Sequence, residues 1–283
     1  MTAAEPALLS VPSGGVTLAV EDTDGDGTPL VLAHGLTATR RYVVQGSRRL
    51  ERSGYRVISY DARGHGESTP APDPAAYRYE ELVSDLASVL DALAIERAVL
   101  IGASMGAATV LAYTLAQPER VEALVEITPA YVGSSPAGDA ARLARWDALA
   151  DGLEQGGVEG FMRAYGDPPV APRFKGIVLE AVRQRIERHR HPEAVAAALR
   201  AVPRSSPFDS LDQLEHLALP TLVVASHDEA DAEHPYEVAR LYSERIPGAE
   251  LVSEDPGSSP LAWRGAQLSR AIAQFLERNQ LPP

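Results

Sequence analysis

Short apolar runs recur along the chain. Each gives way to a polar or glycine-rich turn and then to a stretch whose apolar positions return every three or four residues. The short runs read as strands: Val16–Val20, Leu30–Ala33, Arg56–Tyr60, Ala98–Gly102, Ala123–Ile127, Thr221–Ala225 and Glu250–Ser253. The later ones are almost continuously apolar, as strands covered on both faces of a parallel sheet are. Helical periods fill the gaps at about Val44–Ser53, Glu80–Leu93, Met105–Ala116, Tyr236–Arg245 and Leu261–Arg278. This alternation predicts an α/β class with a mostly parallel, doubly wound central sheet. Val16–Val20 and Leu30–Ala33, joined by a polar turn, predict an antiparallel hairpin at its start.

The rhythm breaks once. Residues 129–219 contain no strand-like run, only helical periods punctuated by Gly and Pro. A block of helices set between two sheet strands predicts an inserted helical lid. The expected organisation is a core formed by residues 1–128 and 220–283, with 129–219 as the lid.

Composition narrows the function. The 283 residues can bury about three quarters of the unfolded chain's surface without staples. There is no cysteine, so disulfides, thiolate metal sites and a cysteine nucleophile are excluded. Twenty-six basic against 39 acidic residues give a formal charge of −13, which repels phosphate backbones and anionic lipid. No nucleic-acid or membrane partner is expected. The N-terminus lacks the basic start of a signal peptide, and no apolar run approaches the ~18 residues of a span. A cytoplasmic location is the expectation.

Three strand ends carry candidate chemistry. Gly102-Ala103-Ser104-Met105-Gly106 follows one strand and opens a helix. In that context the pattern lifts a serine hydroxyl above the sheet edge, with small residues two before and two after it. The helix N-terminus behind it offers free N–H groups to a developing oxyanion. As a bare motif it reads equally as a glycine-rich turn with a capping serine. His34-Gly35-Leu36-Thr37 follows another strand, and Asp61-Ala62-Arg63-Gly64-His65-Gly66-Glu67-Ser68 a third. Asp22 to Gly27 is similar to the opening of a calcium loop, but position twelve is Ala33 and no helix-loop-helix surrounds it. It reads as a hairpin turn.

Taken together and in this order, the three loops resemble those of the α/β-hydrolase family, in its branch with an inserted helical lid. The resemblance runs from about Val16 to Leu276. It implies Ser104 as nucleophile and the backbone N–H groups of Leu36 and Met105 as the oxyanion hole. It implies loop-bracing roles for Asp61 and Arg63, and a carboxylate after the strand that ends near Ala225. Four candidates follow there: Asp228, Glu229, Asp231 and Glu233. Asp228, nearest the strand, is the first choice for the acid, with Glu229 and Asp231 as alternatives.

The family pattern also calls for a histidine after the last strand. That position falls at Ser258, and no histidine follows His234. A serine hydroxyl cannot act as a general base near neutral pH. Of the seven histidines, His234 is the leading replacement, because the order Ser104, Asp228, His234 matches the family's. Asp231 or Glu233 could orient it. His189 and His191 read as a solvated helix end and not as a metal pair.

Two functions compete. One is a serine hydrolase of a small carboxylic ester, lactone or related acyl substrate, working with an atypical base. The other is a protein of the same fold that has lost hydrolysis, and binds a small ligand or catalyses a cyclisation or elimination. The intact elbow favours the first and Ser258 the second. A small-molecule substrate or ligand is expected in both, with no metal or organic cofactor. Candidate pocket residues are His34, Trp146, Phe161, Tyr165 and Ser258, with Met162 and Phe174 beside them. For His34, a structural hydrogen bond is the competing reading.

Overall fold

The computed structural model describes residues 6–133, 140–228, 231, 233–255 and 263–283. In chain order the strands are β1 (Ala7–Ser13), β2 (Val16–Asp22), β3 (Pro29–Ala33), β4 (Arg56–Tyr60), β5 (Ala98–Ala103), β6 (Val121–Ile127), β7 (Thr221–Val224) and β8 (Glu250–Val252). The helices are α1 (Arg49–Arg52), α2 (Tyr79–Ala92), α3 (Met105–Ala116), α4 (Ala140–Tyr165), α5 (Pro172–Ile186), α6 (Pro192–Ala201), α7 (Tyr236–Arg245) and α8 (Gly265–Arg278).

The strands form one sheet in the order β1-β2-β4-β3-β5-β6-β7-β8. From β4 to β8 every pairing is parallel, and β1–β2 and β2–β4 are antiparallel. The doubly wound α/β class follows directly.

Side chains alternate across the parallel strands. Leu30, Leu32, Val99, Ile101, Val125 and Leu222 pack on one face with Ile272 and Phe275 of α8. Val31, Ala33, Leu100, Leu124 and Val223 pack on the other with residues of α2, α3 and α7. This two-sided burial is why those strands read as unbroken apolar runs. Each such Leu or Val stabilises the fold by about 1.5–3 kcal/mol when fully buried.

The N-terminal hairpin differs from the expectation. β2 pairs with the unexpected β1, Ser13 opposite Val16, across Gly14 and Gly15 at φ +49° and +84°. β3 instead lies between β4 and β5. The Asp22–Gly27 turn therefore crosses β4 and does not close a hairpin, and Asp22 receives Arg56 at 2.7 Å. The helix expected over Val44–Ser53 shrinks to Arg49–Arg52, and the last helix begins at Gly265, its expected start at Leu261 lying outside the described residues.

Between β6 and β7 the described residues form only helices and 3₁₀ turns. α4, α5 and α6 share an apolar cluster built on Leu149, Leu153, Phe161, Val182, Val195 and Leu199. Leu36 and Ala62, from strand-end loops, and Met105, the first residue of α3, belong to the same cluster. The helical segment is thus packed onto the carboxyl edge of the sheet, where ligands of open α/β sheets bind.

One core group stands apart. Glu126 on β6 is fully buried, and neither carboxylate oxygen has a partner. Burial alone pushes its carboxyl well above the usual range. Its neutral form is therefore the folded form. The stability tied to that form is complete below the unfolded value of about 4.3 and is lost as pH rises. Glu126→Gln is expected to remove this slope, so that the variant gains on wild type between pH 5 and pH 8 by up to on the order of 1 kcal/mol per pH unit. Urea melts at the two pH values measure it; parallel losses in both proteins would mean the carboxyl does not drive the dependence.

Candidate active site

Ser104 sits between the end of β5 and the first residue of α3, at φ +54° and ψ −112°. A non-glycine residue there costs on the order of 1–3 kcal/mol and persists only when its surroundings hold it. The surroundings are specific. A Cβ on Gly102 would stand 2.3 Å from Gly106 O, and one on Gly106 would stand 2.1 Å from Ala33 O. The glycines let strand, helix and the neighbouring loop close on the serine. Ser104 N–H donates to Ile127 O at 3.0 Å, fixing the turn to β6.

Past β7 two backbone hydrogen bonds each reach back three residues. Asp231 N–H donates to Asp228 O at 3.1 Å, and His234 N–H to Asp231 O at 3.4 Å. The second bond accompanies a close approach of the Asp231 and His234 side chains. His234 Nδ1 lies 2.7 Å from Asp231 Oδ1, and His234 Nε2 lies 2.6 Å from Ser104 Oγ. A carboxylate on Nδ1 keeps the proton there, which leaves Nε2 as acceptor for the serine hydroxyl.

The carboxylate on His234 is therefore Asp231, where Asp228 was expected. The expectation took the carboxylate nearest the strand end; the backbone bonds past β7 instead hand the orienting position to the residue three before His234. Burial opposes the Asp231 charge, but His234 and more distant Arg185 outweigh it and hold the carboxyl below its ordinary value.

Neighbours fix this loop at both ends. Ser226 Oγ donates to Glu254 Oε1 at 2.8 Å, the His227 N–H donates to the same oxygen, and the His227 ring stacks on Tyr236 at 4.2 Å. Glu233 receives Arg142 at 3.2 Å and Arg145 at 3.3 Å, both from α4. Sequence reasoning missed Glu254 and both arginines, because their contacts join parts of the chain with no common pattern.

A family model described as alpha/beta hydrolase fold matches residues 28–160. A putative non-heme chloroperoxidase of Synechocystis is 30% identical over 270 residues, covering 89% of this chain and 92% of the relative. The chain belongs to the α/β-hydrolase fold family. An sn-1-specific diacylglycerol lipase of Danio rerio is 39% identical over 113 residues, 40% of this chain. That match spans about a third, 35%, of the lipase's own length. A thermophilic esterase from Thermogutta terrifontis, solved with malate bound, superposes with a TM-score of 0.78 at 26% identity, covering 96% of this chain and 99% of the esterase.

In this α/β-hydrolase chain two cavities flank the Ser104–His234 pair. One, of about 260 Å³, is lined by Met105, Tyr79, Tyr131 and Val202 among others. The second, of about 200 Å³, is lined by Leu149, Phe161, Tyr165, Val182 and Arg185. Leu36, Ser104, Trp146, Glu233 and His234 border both. Trp146, Phe161 and Tyr165 all border the second cavity, with Phe161 and Tyr165 stacked at 6.4 Å. Met105, as the first residue of α3, has no carbonyl one turn back for its N–H.

His34 does not line either cavity. Its ring is buried, with Nε2 accepting from Ala62 N–H at 2.9 Å and Nδ1 donating to Gly35 O at 2.8 Å. Both nitrogens are committed to backbone, so none is left for a substrate. Ser258 lies outside the described residues. His189, expected at a solvated helix end, is buried against the strand-end loops. Arg63 forms a buried bidentate pair with Asp85 at 2.7 Å, and Asp61 is buried against Arg40, so both brace loops. No group of metal-ligand residues and no helix long and apolar enough to cross a membrane occurs among the described residues.

Proposed function

We propose that this protein is a serine hydrolase acting on a small carboxylic ester, lactone or related acyl compound. Ser104 is the nucleophile and His234 the base. Asp231 orients the imidazole, and the amides of Leu36 and Met105 stabilise the oxyanion. The observation that carries this reading is the unbroken hydrogen-bonded line from Asp231 Oδ1 through His234 to Ser104 Oγ, at 2.7 Å and 2.6 Å. Such a line activates a hydroxyl that is otherwise a weak nucleophile. His234 Nε2 takes the proton as Ser104 attacks the acyl carbon, then returns it to the leaving alkoxide; water repeats the cycle on the acyl-enzyme.

A non-hydrolytic role has less support, since cyclisation or simple binding needs no activated serine. Two flanking cavities of about 260 and 200 Å³ suit an acyl group on one side and a leaving group on the other, each of modest size. In this reading residues 129–219 act as a lid over a core of 1–128 and 220–283, and Trp146 of α4 borders both arms of the substrate.

Intact-mass analysis after incubation with a fluorophosphonate tests the proposal. One adduct is expected on wild type and none on Ser104→Ala. A folded wild type that stays unmodified would end the hydrolase reading and return the alternative.

A further inference from the structure

Three histidine rings converge beneath the loop that carries the Leu36 amide. His34 and His65 rings lie 5.2 Å apart, and His65 and His189 rings 5.5 Å apart. All three are buried. Each reaches a different carbonyl of one short loop: His34 reaches Gly35 O at 2.8 Å, His65 Leu36 O at 2.8 Å, and His189 Thr37 O at 3.2 Å. Ala38 N–H donates to Gly35 O at 2.9 Å and closes the turn.

The ring protons follow from the partners. His34 Nε2 and His189 Nδ1 accept from the backbone N–H groups of Ala62 and Gly66, both at 2.9 Å, so each ring donates from its other nitrogen to the loop. Burial, helped by His65, lowers both His34 and His189 to about 3, and these tautomers hold at any working pH. His65 faces carbonyls at both nitrogens, Arg63 O at 2.9 Å and Leu36 O, and burial lowers its affinity for a second proton. A neutral ring carries one N–H, so His65 donates to one of them at a time.

A trans peptide is planar, with its C=O and N–H pointing opposite ways. Holding Gly35 O therefore aims the N–H of Leu36, which belongs to the same peptide unit. Holding the next two carbonyls prevents those peptide units from rotating and relaxing the first. The loop also leans on the nucleophile: a Cβ on Gly35 would lie 3.4 Å from Ser104 Cβ.

His189 differs from the other two in origin. It lies between α5 and α6, in the helical segment, 85 residues beyond Ser104 in the chain. The next residue completes a clip: Arg190 N–H donates to Gly66 O at 3.0 Å and its guanidinium to Glu67 at 3.0 Å. We propose that His189 is a positioning residue for the oxyanion donor, holding the loop that presents the Leu36 amide and so coupling the turnover rate to the seating of the helical segment. This rests on the hydrolase reading above.

The test compares His189→Gln, His189→Asn and His189→Leu with wild type, using p-nitrophenyl butyrate and a trifluoromethyl ketone. The ketone adds the serine oxygen to its carbonyl and leaves an oxyanion in the hole. Asn and Leu lose the bond to Thr37 O. They are expected to lower kcat and kcat/KM together by about 10–100-fold, a part of the ~10²–10³ that an oxyanion donor supplies. The ketone's inhibition constant should weaken by the same factor. Gln, whose amide N–H reaches the position of Nε2, should recover most of the rate. A merely structural role would move the melting temperature and leave this pattern absent. Unchanged kcat/KM and ketone affinity in a folded Asn or Leu variant, equal losses in Gln and Leu, or a loss confined to KM would each overturn the proposal. If Leu does not fold, the contrast between Asn and Gln decides. A wild type inert to both ketone and fluorophosphonate removes the hydrolase reading and this proposal with it; a reactive wild type with indifferent His189 variants removes the proposal alone.

Discussion

Replacing His234 with alanine is expected to reduce kcat for a p-nitrophenyl ester by about 10⁴–10⁶-fold, close to the loss in Ser104→Ala. In the proposed relay the two residues act as one unit. Without an acceptor at 2.6 Å, Ser104 Oγ keeps its proton and the elbow only positions a weak nucleophile. The double variant should therefore be hardly worse than either single one. Additive losses would mean that the two side chains work in separate steps, contrary to the relay. KM should change little, because the oxyanion donors and both cavities survive. A residual rate above the uncatalysed reaction, on the order of 10³-fold, is expected from those donors. An enzyme with full activity in His234→Ala but none in Ser104→Ala would remain a hydrolase with its base elsewhere.

The second large effect distinguishes two carboxylates three residues apart. Asp231→Asn is expected to lower kcat by up to ~10⁴-fold, while Asp228→Asn stays within about tenfold of wild type. An amide can turn its NH₂ toward His234 Nδ1, and the ring proton then moves to Nε2, the nitrogen that must accept from Ser104. The contrast follows from Asp231 Oδ1 being the atom at 2.7 Å from the ring. The reverse ranking in steady-state kinetics would restore Asp228 to the role first expected of it.

The comparison between chain and structure has a physical pattern. The elbow around Ser104 was legible because its requirements are local: two glycines, a strand before and a helix after. The parallel strands were legible because burial on both faces leaves an apolar run. The first hairpin was misread because pairing partners are chosen by the sheet as a whole; no short-range signal says that β4 inserts between β2 and β3. His234 stood out by elimination and chain order. Which carboxylate meets its ring was not legible, because nearness to the strand end does not say which residue of "HDEAD" the backbone brings to His234; the structure brings Asp231. His189 looked solvated since its helix ends at a proline-marked turn. What buries it are two loops more than a hundred residues earlier, at Thr37 and at Gly66.

The proposed acid and base lie three residues apart in the chain. Their mutual distance is set by local backbone and survives small shifts of the sheet. Only the approach to Ser104 depends on tertiary placement. In the proposed relay the acid and base thus form a preassembled cartridge docked against a serine. The cartridge is short enough to graft after the corresponding strand of another scaffold, provided a carboxylate like that of Glu254 is there to hold its start.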